Sequence, residues 1–183
     1  MATNIEIKAR LTNPPRTREL AEQISSATME KLEQRDTFFA CNGGRLKLRE
    51  FSVDHGELIF YRRENVGGTK QSDYLISHTD APESLRSLLQ EALGAKQVVT
   101  KTRLLYRVGQ TRIHLDEVVG LGSFLELEVV LREGQSLAEG HEIARRLMDI
   151  LEIERDQLID CAYADLMEQK RTSIPNVGND AGQ

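Results

Sequence analysis

The chain has 183 residues, 39% of them hydrophobic and 29% charged, with a formal net charge of -5 at pH 7. That length suits one domain able to bury a core without disulfide or metal staples, and the composition excludes a disordered or membrane-spanning chain. The acidic balance excludes a general nucleic-acid coat, so any anion site must come from local segregation of charge.

In the opening stretch NIEIKAR, Ile5, Ile7 and Ala9 alternate with Glu6, Lys8 and Arg10. This period of two predicts a strand with one apolar and one charged face. No signal-peptide-like apolar run follows, which predicts a cytoplasmic protein with no membrane contact. Pro14 and Pro15 open a predicted helix with Leu20 and Ile24 inward, ending near Ser25 and Ser26. LKLRE and GELIFYRR read as a hairpin around FSVDHG, and ENVGGTK as a loop leading into a strand at SDYLIS. A second helix is predicted from Asp80 to Leu93, with Pro82 in its first turn and Gly94 as its stop. Strands follow at VVTKTRLLYRV, TRIHLDEV and SFLELEVVL, with a turn at Gly109. Ser136 and Glu139 form a capping box for a helix carrying Ile143, Leu147 and Ile150 inward, and a last helix is expected from Arg155 to Glu168. The residues from 170 to 183 read as a disordered tail behind a domain of residues 1–169. Cys41 and Cys161, far apart and outside any CxxC pattern, are expected to be reduced thiols without zinc.

The order is not a βαβ alternation, so the expected class is α+β, an antiparallel sheet of seven or eight strands that curls to protect its edges. Period-two reading then places on one surface the cations Lys8, Arg10, Arg45, Lys47, Arg49, Arg62, Lys101, Arg103 and Arg112, with the acids Glu6, Asp116, Glu126 and Glu128. So many cations on one surface call for an anion, and a polyphosphate suits both arginine forks and lysine point charges. The carboxylates beside them are the chemistry of a hard cation, Mg²⁺ or Mn²⁺. Taken strand by strand, the same alternation also describes solvated faces, and Glu126 and Glu128 can equally pair with neighbouring cations. His114 stays unassigned, and the glycine pairs read as turns rather than phosphate loops.

Together NIEIKAR, GRLKLRE, KTRLLY and LDEVVGLGSFLELEV resemble the CYTH superfamily, the triphosphate tunnel metalloenzymes, from about Asn4 to Leu166. The resemblance implies a closed antiparallel β-barrel of about eight strands with helices packed outside. It also implies a charged tunnel in which bases hold a small-molecule triphosphate and acids hold a divalent metal. The run through LDEVVGLGSFLELE is most similar to the class IV adenylyl cyclase branch, which makes cyclic AMP and pyrophosphate from ATP. Carried over by position, the basic residues are Lys8, Arg49, Arg62, Lys101 and Arg103, and the acidic ones Glu6, Asp116 and Glu126. Arg10, Arg45, Lys47, Arg112 and Glu128 rest on periodicity alone. One departure stands at the start, where the family's ExExK begins here with Asn4, a ligand oxygen without charge. Hydrolysis of tripolyphosphate, thiamine triphosphate or a nucleoside triphosphate is the first alternative. Non-catalytic polyphosphate binding is the second. By analogy with the family a homodimer is expected.

Overall fold

The computed structural model describes residues 2–63 and 70–173. Eight strands run β1 (Ala2–Arg10), β2 (Glu30–Phe39), β3 (Arg45–Glu50), β4 (Gly56–Arg63), β5 (Lys70–Thr79), β6 (Ala95–Val108), β7 (Thr111–Val118) and β8 (Gly122–Val130). The helices are α1 (Pro14–Ile24), α2 (Pro82–Leu93), α3 (Leu137–Ile150) and α4 (Tyr163–Ser173). Every pairing is antiparallel, and the strands close into a barrel in the order β1-β5-β4-β3-β2-β6-β7-β8. Closure depends on β1, which pairs with β5 through Ala2 to Glu6 and with β8 through Asn4 to Arg10. The α+β barrel expected from the sequence is therefore the observed architecture, and it leaves no exposed sheet edge.

The alternation in β1 works as expected. Ile5, Ile7 and Ala9 point outward into the main core with Leu127, Val129, Ala144, Leu147 and Leu151, while Asn4, Glu6 and Lys8 line the barrel interior. Helix α3 covers this side, and Gly140 lets it come close: a Cβ there would stand 2.6 Å from Leu131 Cδ2 and 2.8 Å from Ile5 Cγ1. The capping box at its start is formed, with Ser136 Oγ accepting from the Glu139 backbone N–H and the Glu139 carboxylate accepting from the Ser136 N–H. A smaller core of Phe39, Leu48 and Leu89 lies under α2. Among the described residues no helix is long and apolar enough to cross a membrane.

Four features differ from the sequence expectation. Ile150, expected to face inward on α3, is 46% exposed. β2 occupies a stretch to which the sequence reading assigns no element, because its apolar residues are split between its two faces and give little amphipathic signal. The last helix is interrupted: a single 3-10 turn at Arg155–Gln157 is followed by a bridge from Leu158 to Ala9, and the Ile159 N–H donates to the Lys8 carbonyl. These backbone bonds satisfy the end of β1 and hold the segment extended, so α4 starts only at Tyr163. α4 also takes in Lys170 to Ser173, expected to be part of the tail. There Lys170 Nζ donates to the Gly120 carbonyl at 2.6 Å, and the rest of that tail lies outside the described residues.

Candidate functional site

Interior-facing side chains of the barrel line a cavity of about 340 Å³. An eight-stranded barrel has room for side chains or one small ligand, and here the lining is charged. Two ion-pair clusters divide it, and both are held by side chains from several strands.

The first cluster is centred on Asp36 of β2, which is 2% exposed. Its carboxylate accepts from Lys47 Nζ at 3.0 Å, from Arg49 Nε and Nη2 at 2.7 and 2.9 Å, and from Lys101 Nζ at 3.1 Å. Strand pairing explains the convergence: Asp36 stands opposite Arg49 on β3 and opposite Val99 on β6, one interior position from Lys101. Burial alone would raise the Asp36 carboxyl, but Arg49, Lys101 and Lys47 together pull it well below the usual carboxylate range. Burial lowers Lys101 to about 7, with the nearby Arg49 and Arg103 adding to the effect and Asp36 opposing it.

The second cluster joins β6, β7, β8 and β1. Arg103 forms a fork on Asp116, Nε to Oδ1 and Nη2 to Oδ2 both at 2.6 Å, and Nη2 also reaches Glu126 Oε2 at 2.6 Å. Lys8 donates to the other Glu126 oxygen. The Tyr163 hydroxyl donates to Asp116 Oδ2 at 3.0 Å, and the Lys8 ammonium sits 3.5 Å from the centre of the Tyr163 ring. Burial opposes ionisation of Glu126, yet Lys8 and Arg103 hold it well below its ordinary value. Nearer the other end, Arg112 Nε donates to Glu128 Oε2 at 2.9 Å. Burial, and then Arg103, lowers His114 below its ordinary value, against Glu128, Glu126 and Asp116, which raise it.

The barrel ends differ. Tyr163 packs with Val99, Val118 and Phe124 and caps one end. The opposite end, where β2 and β7 start and β3 and β6 finish, carries Arg107, Arg112, Leu32, Leu105 and Phe51 on its cavity wall.

Of the residues singled out from sequence, Glu6, Lys8, Lys47, Arg49, Lys101, Arg103, Arg112, Glu126 and Glu128 line this cavity. Four do not. Arg62 is exposed and donates to the Gly43 carbonyl, because the interior phase of β4 is carried by Glu57, Ile59 and Tyr61. Arg10 lies exposed over the Phe124 ring at 4.8 Å and donates to the Leu121 carbonyl. Arg45 is held at the rim by Asp165 of α4 at 2.8 Å. Asp116, expected as a metal ligand, lies off the cavity wall, behind the Arg103 fork and the Tyr163 hydroxyl that bond it. Asp36, Gln34 and Tyr163 were missed as interior residues. The alternation Leu32, Gln34, Asp36, Phe38 is visible in β2 once its strand is known, but Tyr163 reaches the site from a helix and has no period-two signal.

The acidic side of the cavity suits a hard divalent cation. His114, Glu126 and Glu128 each offer a ligand atom within 4.8 Å of the others, and Glu6 is the cross-strand partner of Glu128. His114 Nδ1 is buried without a hydrogen-bond partner, and so is Asn4 Oδ1, which adds one further donor on β1.

Comparison with known proteins places this geometry among relatives. The CYTH domain family profile matches residues 2–163. A Methanocaldococcus jannaschii protein named "Putative adenylate cyclase MJ0240" is 25% identical over 175 residues, covering 88% of this chain and 97% of that one. The PH1012 protein of Pyrococcus horikoshii superposes with a TM-score of 0.80 at 21% identity, over 89% of this chain and 98% of that chain. HpAC1 of Hippeastrum, described as having a dominant triphosphatase activity, superposes with a TM-score of 0.63 at 16% identity, over 92% and 96%.

Proposed function

Because the chain belongs to the CYTH domain family, we propose that it is a metal-dependent enzyme acting on a triphosphate inside the barrel, with conversion of ATP to cyclic AMP and pyrophosphate as the leading reaction. The observation that carries this reading is the division of one cavity into a cationic side around Lys47, Arg49 and Lys101 and a carboxylate side around Glu6, Glu126 and Glu128. Several cations crowded on one anion, Asp36, form a cradle already assembled for a more highly charged one.

In this reading Lys47, Arg49 and Lys101 hold the phosphates, and Arg103 and Lys8 sit where they neutralise charge at the boundary between the two clusters. Asp116 and Tyr163 keep the Arg103 fork in one orientation, so it need not reorganise as charge develops. A divalent cation held by Glu6, Glu126 and Glu128, with His114 alongside, would neutralise phosphate charge and polarise the attacked phosphorus. In a cyclase the ribose 3′-hydroxyl attacks the α-phosphorus and pyrophosphate leaves; in a triphosphatase water attacks a terminal phosphorus. The adenylate cyclase name of the M. jannaschii relative supports the first.

The test is incubation of the purified protein with ATP, tripolyphosphate and thiamine triphosphate separately, each with Mg²⁺ or Mn²⁺, scored for cyclic AMP, pyrophosphate and orthophosphate. Cyclic AMP with equal pyrophosphate is expected. Orthophosphate alone moves the protein to the hydrolases, and silence in every tube alongside tripolyphosphate binding makes it a binding protein.

A further inference from the structure

We infer that Lys8 couples the two sides of the cavity. In the free protein it holds the Glu126 carboxylate against the entry of a divalent cation, and a bound triphosphate draws it away, so that anion and cation bind cooperatively. This rests on the triphosphate reading above and adds how the site controls its own filling.

Strand register fixes the contact. Lys8 of β1 is the cross-strand partner of Glu126 of β8, and both side chains point into the barrel. Lys8 donates to Glu126 Oε1 and Arg103 Nη2 donates to Oε2 at 2.6 Å, so both oxygens of this carboxylate face a cation. Two residues further along β8, Glu128 accepts from Arg112 at 2.9 Å, and behind them Asp116 takes the Arg103 fork. The three carboxylates Glu126, Glu128 and Asp116 are thus matched by three bases, Lys8, Arg103 and Arg112. A hard cation is held by the negative charge of its ligands, and in the free protein much of that charge is already neutralised. Lone pairs remain on Glu126, but a cation placed on them stands beside an ammonium and a guanidinium and is repelled by both.

Of these bases, Lys8 is the one with another anion within reach. Arg103 is fixed by its fork on Asp116. The Lys8 ammonium stands 3.5 Å from the centre of the Tyr163 ring, and Lys101 Nζ stands 5.6 Å from the same centre. One ring therefore meets a lysine from each ion-pair cluster, and Lys8 lies beside the cationic side assigned to the phosphates. Its ammonium rides on a flexible four-carbon stem, so a phosphate group at Lys101 gives it a new partner with little movement. When Lys8 turns to that phosphate, Glu126 loses a cation inside a largely buried site, and a divalent cation restores the balance. Each ligand removes an obstacle to the other, and by linkage the gain is the same in both directions.

The test is a closed set of binding measurements on the intact protein: Mn²⁺ alone, tripolyphosphate alone with metal removed, and the Mn²⁺–tripolyphosphate complex, whose stability in solution is measured alongside. Mn²⁺ is followed by the paramagnetic resonance of the free ion and tripolyphosphate by calorimetry. Together they give the factor by which each ligand strengthens the other on the protein. Lys8→Met and Lys8→Gln, both neutral and of similar length, are compared with the parent. Mn²⁺ alone should bind both variants about tenfold more tightly than the parent, tripolyphosphate alone about tenfold more weakly, and the coupling factor should fall about tenfold, the scale of one charge-assisted hydrogen bond. The opposite signs carry the inference, because damage to the barrel weakens both ligands. Mn²⁺ affinity unchanged or weakened in both variants overturns the coupling, and so does a coupling factor no greater than one in the parent, which needs no variant. Either result leaves the triphosphate reading standing as long as tripolyphosphate binds the parent; if it does not bind, both readings fail.

Discussion

Asp36→Asn is the substitution that tests the cavity's electrostatics most directly. The carboxylate is 2% exposed and is the common acceptor for Lys47, Arg49 and Lys101 at 3.0, 2.7 and 3.1 Å. Asparagine keeps the volume but removes the charge, leaving three buried cations facing one another. Breaking a buried ion pair by removing one partner costs about 3–5 kcal/mol. Part of that cost is relieved because Lys101, already at about 7, can shed its proton. For a domain of this size about 1 kcal/mol corresponds to about 2–4 °C, so the ligand-free variant should melt about 6–20 °C below the parent. Tripolyphosphate restores the missing negative charge, so it should raise the melting temperature of the variant by more than it raises that of the parent. The assay is a pair of thermal melts with and without millimolar tripolyphosphate. An unchanged ligand-free melting temperature, or a ligand shift no larger than the parent's, would refute the account of Asp36 as an internal stand-in for the phosphate anion.

Other expected outcomes follow from the same geometry. Lys47→Ala should weaken tripolyphosphate binding by about 10- to 100-fold, the range for a hydrogen bond to a charged group, while Arg62→Ala, which faces outward, should leave it unchanged; calorimetric titration of both variants checks the strand phase. Glu126→Gln should cut turnover with Mg²⁺ or Mn²⁺ by about a hundredfold or more, since losing groups that only support metal ligands already costs about 10–100-fold, and a steady-state assay across metal concentrations reads it. Lys101 has its proton affinity lowered from 10.5 to about 7 in the folded protein. The unfolded chain therefore holds that proton more tightly, and this residue's contribution makes stability rise with pH between those values. A bound triphosphate favours the charged lysine, so affinity should fall as pH rises above 7, with proton uptake on binding, and Lys101→Arg should flatten the dependence. Tyr163→Phe removes the hydroxyl bond to Asp116 but keeps the ring over Lys8, and should lower stability by about 1.5–3 kcal/mol in denaturant melts.

The sequence by itself determined the class of the fold and most of the cavity's charge. In β1 and β8 Ile, Leu and Val alternate with charged residues, so a one-residue error would bury charge in the outer core and the phase of Glu6, Lys8, Glu126 and Glu128 was legible; in β6, where Thr100 and Thr102 flank the charges and Val99 and Leu105 also face inward, Lys101 and Arg103 were placed by the spacing to Leu104 and Tyr106 alone. Where both faces of a strand carry large apolar residues that safeguard is absent. In β4, Leu58 and Phe60 alternate with Ile59 and Tyr61, and only pairing with β3 and β5 shows that Arg62 faces away. Tertiary structure alone decided which charges meet. Asp36 is 65 residues from Lys101 in the chain, and Tyr163 is 47 from Asp116. No local pattern encodes such a separation: barrel closure brings β2 beside β6, and the backbone bridge at Leu158 and Ile159 stops the last helix from starting before Tyr163. Local periodicity sets the direction of a side chain, but the partner it finds depends on which strands become neighbours, a property of the closed sheet as a whole.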